Sequence, residues 1–277
     1  MKSIDIYCPA RINLFFKVNG YNKSKALHYL KLINQTINMY DIINIKPSRN
    51  SNLLTINTTE EIFSILYEDL SKTYEIFLNY VKLPPHNISI TITKNIPTKS
   101  GLGDKGSIIA GFLIALNMIY NSHLEKHELI FLASLINFEA PYFIVGNYAK
   151  ITNTGNKITP LDNNPYKSYL IITPNIDIST KEMFHKLDSN YSPTNIINNL
   201  LYNDFISVMP SELLRIRDFL SNYPNIDHSL SALGPSYYIA SPTYIDPSLK
   251  KVLKKEFPDY KIYNQKNSQA HKIITYV

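Results

Sequence analysis

Tryptophan is absent, cysteine occurs once, arginine four times and glycine eight times in the 277 residues. With Cys8 alone, no internal disulfide can form, and a single thiol suits a reducing cytoplasm. Long hydrophobic runs are missing as well. The longest, at 107–120, has 14 residues and includes Asn117, against the roughly 20 that a membrane-crossing helix needs. The first apolar stretch contains Asp5 and Arg11 and lacks a cleavage signature, so it does not read as a signal peptide. A cytoplasmic protein with no membrane partner is expected. The arginine shortage bears on charge: 28 Lys+Arg against 22 Asp+Glu give +6, yet asparagine (30) and isoleucine (39) are equally over-represented. Lys, Asn, Ile and Tyr share A/T-rich codons, so base composition explains the surplus better than a nucleic-acid surface. The densest basic cluster, Lys250, Lys251, Lys254 and Lys255, has the spacing of one solvated helix face. No nucleic-acid partner is expected.

Glycine scarcity is the most informative deficit. Eight in 277 is about 3%, where an ordinary chain carries roughly 7%. Four of the eight, Gly101, Gly103, Gly106 and Gly111, fall within eleven residues. A chain that hoards glycine in one segment needs backbone freedom there.

An apolar share of 44% is that of a globular protein, and the length allows one large domain or two medium ones. Patterning predicts strands at 4–18 (broken near Pro9), 39–47, 53–58, 87–93, 148–152, 157–161, 169–178, at Tyr237 to Ile239 and at 272–277. Helices are predicted at 62–81, from the glycine loop to about Tyr120, at 126–136, from Ser179 or Thr180 to Leu187, at 194–205, at 210–222 and over the Lys-rich stretch. This order suggests an α+β protein of two packed domains, 1–152 and 153–277.

Between a strand and an apolar helix lie Pro97, Thr98, Lys99, Ser100, Gly101, Leu102, Gly103, Asp104, Lys105, Gly106 and Ser107. Such a loop can aim backbone N–H groups at an anion, helped by the positive end of the helix. Ser107 can offer its hydroxyl to phosphate or Mg2+. It is neither a Walker A loop nor the dinucleotide fingerprint. Read locally, the segment is either a phosphate cradle or a glycine turn without a ligand.

The pattern Pro-x-x-x-Gly-Leu-Gly-x-x-x-Ser before an apolar helix resembles the second motif of the GHMP small-molecule kinases. Other stretches follow in the same order. They are Cys8-Pro9-Ala10-Arg11-Ile12-Asn13-Leu14-Phe15, Gly155-Asn156-Lys157-Ile158-Thr159-Pro160-Leu161, Ile178-Ser179-Thr180-Lys181-Glu182-Met183-Phe184, Asn203-Asp204-Phe205 and Ser231-Ala232-Leu233-Gly234-Pro235-Ser236. Together they resemble the branch of that family that phosphorylates a hydroxyl of 4-diphosphocytidyl-2-C-methyl-D-erythritol in non-mevalonate isoprenoid synthesis. The resemblance implies a two-domain α+β fold, with a ribosomal protein S5 domain 2-like N-terminal domain and a ferredoxin-like C-terminal one. It also implies ATP and Mg2+ as cofactors, a cytidine-diphosphate-linked polyol as substrate, and a monomer or weak homodimer.

Carried over by position, the family's catalytic Lys is here Arg11 and its Asp base is Glu139. Asn13 lies beside the substrate, His28 contacts the cytosine and Ser107 reaches the metal. Without the resemblance, Glu139 reads as a surface carboxylate at a helix end, and Arg11 as a structural ion-pair partner. Departures gather at working positions. The stacking aromatic before His28 is Leu27; the loop's Gly-Gly-Gly-Ser-Ser is Asp104-Lys105-Gly106-Ser107; Asp104 sets negative charge beside a triphosphate, with Lys105 as the adjacent cation to offset it. A noncatalytic GHMP-fold protein that binds a nucleotide or a partner is the alternative. His123 and His127 lack the His-Glu-x-x-His order of a zinc site, and Cys8 reads as a core thiol.

Overall fold

The apolar, strand-forming start of the chain makes one long hairpin. In the computed structural model, which describes residues 3–22, 27–189 and 199–276, β1 (Ser3–Asn22) pairs antiparallel with β2 (Leu27–Pro47) along nearly its whole length. The break expected near Pro9 does not occur. A register shift between Pro9 and Ala10 absorbs the proline, as bulges do for a residue without an N–H. A second shift follows between Asn13 and Phe15. Between the two, Ala10, Ile12 and Leu14 enter a cluster with Leu102, Tyr169, Ile171 and Tyr238. Ile4, Ile6, Cys8, Phe16 and Val18 join the larger core, with Phe77, Ile108 and Phe112. Side chains alternate across a strand, so Arg11 and Asn13 take the face opposite Ala10, Ile12 and Leu14.

The order continues with β3 (Leu54–Asn57), α1 (Glu60–Val81), β4 (Ile88–Thr93), α2 (Asp104–Ile119), α3 (Lys126–Ser134), α4 (Ala140–Val145), β5 (Tyr148–Thr152) and β6 (Lys157–Pro160). Then come β7 (Ser168–Thr173), α5 (Thr180–Ser189), a 3-10 turn (Asp204–Val208), α6 (Ser211–Leu220), β8 (Asp227–Leu230), β9 (Tyr237–Ser241), α7 (Pro247–Glu256), β10 (Lys261–Lys266) and β11 (Lys272–Tyr276). One sheet runs β11-β1-β2-β4-β3, with β5 added on β2 and β6 on β5; the other is antiparallel, β10-β7-β9-β8. The chain thus leaves the first sheet after β6 and returns to it in β11, beside β1.

Three sequence expectations need correction. The strand placed at 169–178 stops at Thr173, because Pro174 has no N–H to donate to a ladder. Part of the helix placed at 194–205 lies outside the described residues. Its remainder is not α-helical: Asn203 accepts from the Phe205 N–H at 2.9 Å and opens the 3-10 turn instead. α4, β8 and β10 were not anticipated; α4 and β8, at six and four residues, are too short to show a period.

Candidate active site

Lys99, Gly101 and Gly103 have positive φ (52°, 72° and 77°), and these left-handed residues coil the segment before α2. Gly103 caps α2 without a side-chain hydrogen bond. The amides that open α2 have no carbonyl one turn earlier to bond, which leaves them for an anion. Leu102 is fully buried and anchors the loop in the core. At Gly101 a Cβ would lie 2.8 Å from the Ser231 carbonyl oxygen and 2.9 Å from the Gly234 carbonyl carbon. At Gly106 it would lie 3.0 Å from Glu139 Cβ. Close approach of backbone to backbone is what these glycines permit.

Arg11 closes the unit. Its backbone N–H donates to the Leu102 carbonyl at 2.8 Å. One guanidinium nitrogen donates to the Gly101 carbonyl at 2.7 Å and the other to Glu139 Oε1. The Gly101 carbonyl also accepts from Ser231 Oγ at 2.9 Å, and the Ser100 carbonyl from the Ser236 N–H at 3.0 Å. The loop is therefore held by β1 on one side and by the 231–236 turn on the other. Arg11 is 3% exposed and Glu139 26%, so the cation is sealed in while the carboxylate reaches solvent. A buried guanidinium needs such partners. Glu139 is itself fixed by Asn137, whose Oδ1 accepts from the Glu139 and Ala140 N–H groups at 2.8 and 3.2 Å. Asn137 was not anticipated from the sequence, although an Asn three residues before a helix start is a turn signal.

The charge beside the loop is balanced differently from the expectation. Lys105 turns to Asp69 of α1, at 2.6 Å. Asp104 is met by Lys94, at 3.2 Å, and Lys94 also pairs with buried Asp41. Asp41 accepts from the Asn95 and Ile96 N–H groups at 2.8 and 2.9 Å, and burial raises its pKa against the pull of Lys94. Lys99 makes only an exposed pair with Asp177, at 3.1 Å, which contributes little. Pro97 and Thr98 line a cavity of about 380 Å³ with Thr173 and Asp177.

Asn13 donates to Asn34 Oδ1 at 2.6 Å, its carbonyl accepts from the Tyr238 hydroxyl at 2.7 Å, and its own Oδ1 is buried without a partner. The Ser100 and Ser107 hydroxyls are likewise buried and unpartnered among the described residues. His28 stands away from Arg11, opposite Tyr21 near the far end of the hairpin. Its ring stacks on Phe184 of α5 (centroids 4.3 Å apart, planes at 22°), leans on Tyr21 at 4.9 Å, and faces Asp188 with Nε2 at 3.0 Å. Cys8 is buried, and burial raises its thiol pKa well above the ordinary value, which makes it inert. Among the described residues no three His, Cys, Asp or Glu side chains gather to hold a metal ion.

His271, just before β11, had no role in the sequence reading. Its Nε2 lies 2.9 Å from the Ser107 carbonyl. Burial lowers its pKa to about 4 from the ordinary 6.5, against the opposing pull of backbone bonds at Ser107 and Phe143. Above pH 6.5 the ring is neutral folded and unfolded alike, and nothing is lost. As the pH falls from 6.5 toward 4, the unfolded chain takes up the proton first, and stability drops by about 3 kcal/mol at most. Asp41, shifted upward, acts in the opposite sense, so the comparison is between variants. Melting curves from pH 7.5 to 4 should fall steeply for the wild type and less for His271→Gln; parallel curves would discount His271.

Residues 67–146 match the family model described as GHMP kinases N terminal domain. The chain is 32% identical over 179 residues to a 4-diphosphocytidyl-2-C-methyl-D-erythritol kinase of Clostridium botulinum (strain Loch Maree / Type A3). That alignment takes in 64% of this chain and 62% of the Clostridium protein, less than two thirds of its length. The protein of the same name from Buchnera aphidicola subsp. Schizaphis graminum is 28% identical over 223 residues, 77% of this chain and 76% of its own. A crystal structure of 4-(cytidine 5'-diphospho)-2C-methyl-D-erythritol kinase superposes with a TM-score of 0.75 at 17% identity, covering 95% of this chain and 99% of that one. Homoserine kinase from Cytophaga hutchinsonii gives 0.72 at 17% identity, over 99% and 98%. Identities that low speak for the fold, which is the α+β architecture expected. By sequence match over residues 67–146 and by fold, the chain is similar to the GHMP kinases.

Proposed function

We propose that the protein transfers the γ-phosphoryl group of ATP to a hydroxyl of 4-diphosphocytidyl-2-C-methyl-D-erythritol, a step of isoprenoid precursor synthesis. The observation that carries this reading is the single hydrogen-bonded unit of Arg11, the Gly101 carbonyl and Glu139, set against the uncapped start of α2. Residues 97–107 receive the triphosphate on backbone amides. Arg11 occupies one oxygen of Glu139 and leaves the other to accept the proton of the acceptor hydroxyl. The hydroxyl oxygen then bonds to the γ-phosphorus as the bond to the β–γ bridging oxygen breaks, and ADP leaves. The Arg11 cation lies beside the charge that spreads over the transferring group.

Ser107 fits a metal-bound triphosphate, because its hydroxyl is buried and unpartnered. Among the described residues no carboxylate cage gathers there, so the other ligands of Mg2+ would be phosphate oxygens and water. Bound in that way, Mg2+ neutralises the phosphates. At the distal end, Tyr21 and Phe184 supply the aromatic surface that Leu27 lacks, and His28 stands between them to meet a cytosine edge. The same reading divides the chain into residues 1–152, with Arg11, the loop and Glu139, and residues 153–277, with the 231–236 turn and α5. A cytoplasmic location is part of the same reading; among the described residues no helix is long and apolar enough to cross a membrane.

Coupled measurement of ADP release with the cytidyl-methylerythritol substrate tests the proposal. Turnover that requires both ATP and this acceptor is the expected result. ATP binding without turnover at any enzyme concentration would leave a noncatalytic nucleotide-binding protein in its place.

A further inference from the structure

Three of the four clustered glycines serve the loop; Gly111 does not. It lies about two turns into α2, where a Cβ would come within 2.5 Å of Cys8 Sγ and 3.1 Å of His271 Cδ2. The bare position seats the imidazole against the helix, with Nδ1 out of solvent contact and Nε2 on the Ser107 carbonyl. The rest of the segment is pinned just as closely. The Ser268 N–H donates to the Thr36 carbonyl at 2.9 Å, and Thr36 Oγ1 donates to the Ser268 carbonyl at 2.7 Å. Ala270 sits on Gly146, where a Cβ would be 2.6 Å from its own Cβ. Gly146 ends α4, the helix that Glu139 begins.

Residues 268–271 therefore lie against the far end of α4 and the first turn of α2, behind the helices that present Glu139 and the loop. We propose that His271 is a positioning residue for the nucleotide: by donating to Ser107 it fixes the first turn of α2 in the orientation the triphosphate needs. The inference rests on the ATP reading above. It adds a residue that lies 164 positions from Ser107 in sequence and belongs to none of the motifs.

His271→Leu removes the donor at similar volume, and His271→Gln restores an N–H near the same place. Calorimetry with ATP should show binding weakened about 3- to 10-fold in His271→Leu, the range of one lost hydrogen bond. It should stay within about 2-fold of wild type in His271→Gln, and the KM for the acceptor should stay within about 2-fold in both. In the ligand-free proteins, amides 104–108 should exchange faster only in His271→Leu. If His271→Leu does not fold, His271→Asn, whose amide stops short of Ser107, takes its place. Equal loss in the Leu and Gln variants, or unchanged exchange and affinity in both, would overturn the proposal. Wild-type protein that binds no ATP defeats the kinase reading alone, and the exchange measurement then decides the role of His271.

Discussion

Glu139→Gln should lower kcat by about 10²- to 10⁴-fold, the range expected when a positioned proton acceptor is lost. Glutamine keeps the length and an amide oxygen for the Arg11 guanidinium, so the contact that closes the unit survives. The Asn137 turn beneath it depends only on backbone N–H groups and also persists. ATP affinity should then stay within about 3-fold, because the side chain acts on the acceptor hydroxyl rather than on the nucleotide. The steady-state rate and a nucleotide titration on one preparation are sufficient to check this. Unchanged turnover would remove Glu139 from the chemistry and reduce it to a counter-ion for Arg11.

Gly101→Ala should abolish nucleotide binding and destabilise the fold by roughly 3 kcal/mol or more, in the range reserved for named structural collisions. Left-handed backbone alone costs a non-glycine residue about 1–2 kcal/mol. The new Cβ would also meet Ser231 and Gly234 backbone atoms, which cannot rotate away. Relief requires the loop to leave the turn, and that breaks the bonds the Gly101 carbonyl accepts from Arg11 and Ser231. Gly20→Ala is the matched control: its φ is 140° and nothing lies within 4 Å of the added atom, so it carries backbone strain without collision. Denaturant unfolding and ATP titration of both variants separate the two effects. If Gly101→Ala binds ATP like the wild type, the turn does not shape the loop.

What the sequence disclosed follows the range of the physics involved. The loop at 97–107 was legible because its glycines, its hydroxyl and the apolar helix after it are contiguous. Arg11 and Glu139 could be proposed singly, but their contact spans 128 positions and leaves no local trace. The pairing of Asp104 with Lys105 failed for a geometric reason: neighbours on a helix point about 100° apart. One faces Lys94 after β4, the other Asp69 on α1. Ile176 and Ile178 carried the strand pattern past Pro174, and only the proline marked the true end of β7. Aromatic partners for His28 were hidden likewise, since Phe184 reaches it from α5.

The return of the chain to its first sheet has a consequence for how the protein is made. A ribosome releases the loop, α2 and Glu139 long before it synthesises residues 268–276. Until then, β1 has no neighbour on its outer side, and the groove between Cys8 and Gly111 is unfilled. The nascent N-terminal half can collapse around its helices, but the contacts of residues 268–276 with β1, Gly111 and Gly146 form only afterwards. A chain cut before residue 268 would thus carry every motif while leaving β1 unpaired on that side and Gly111 and Gly146 uncovered.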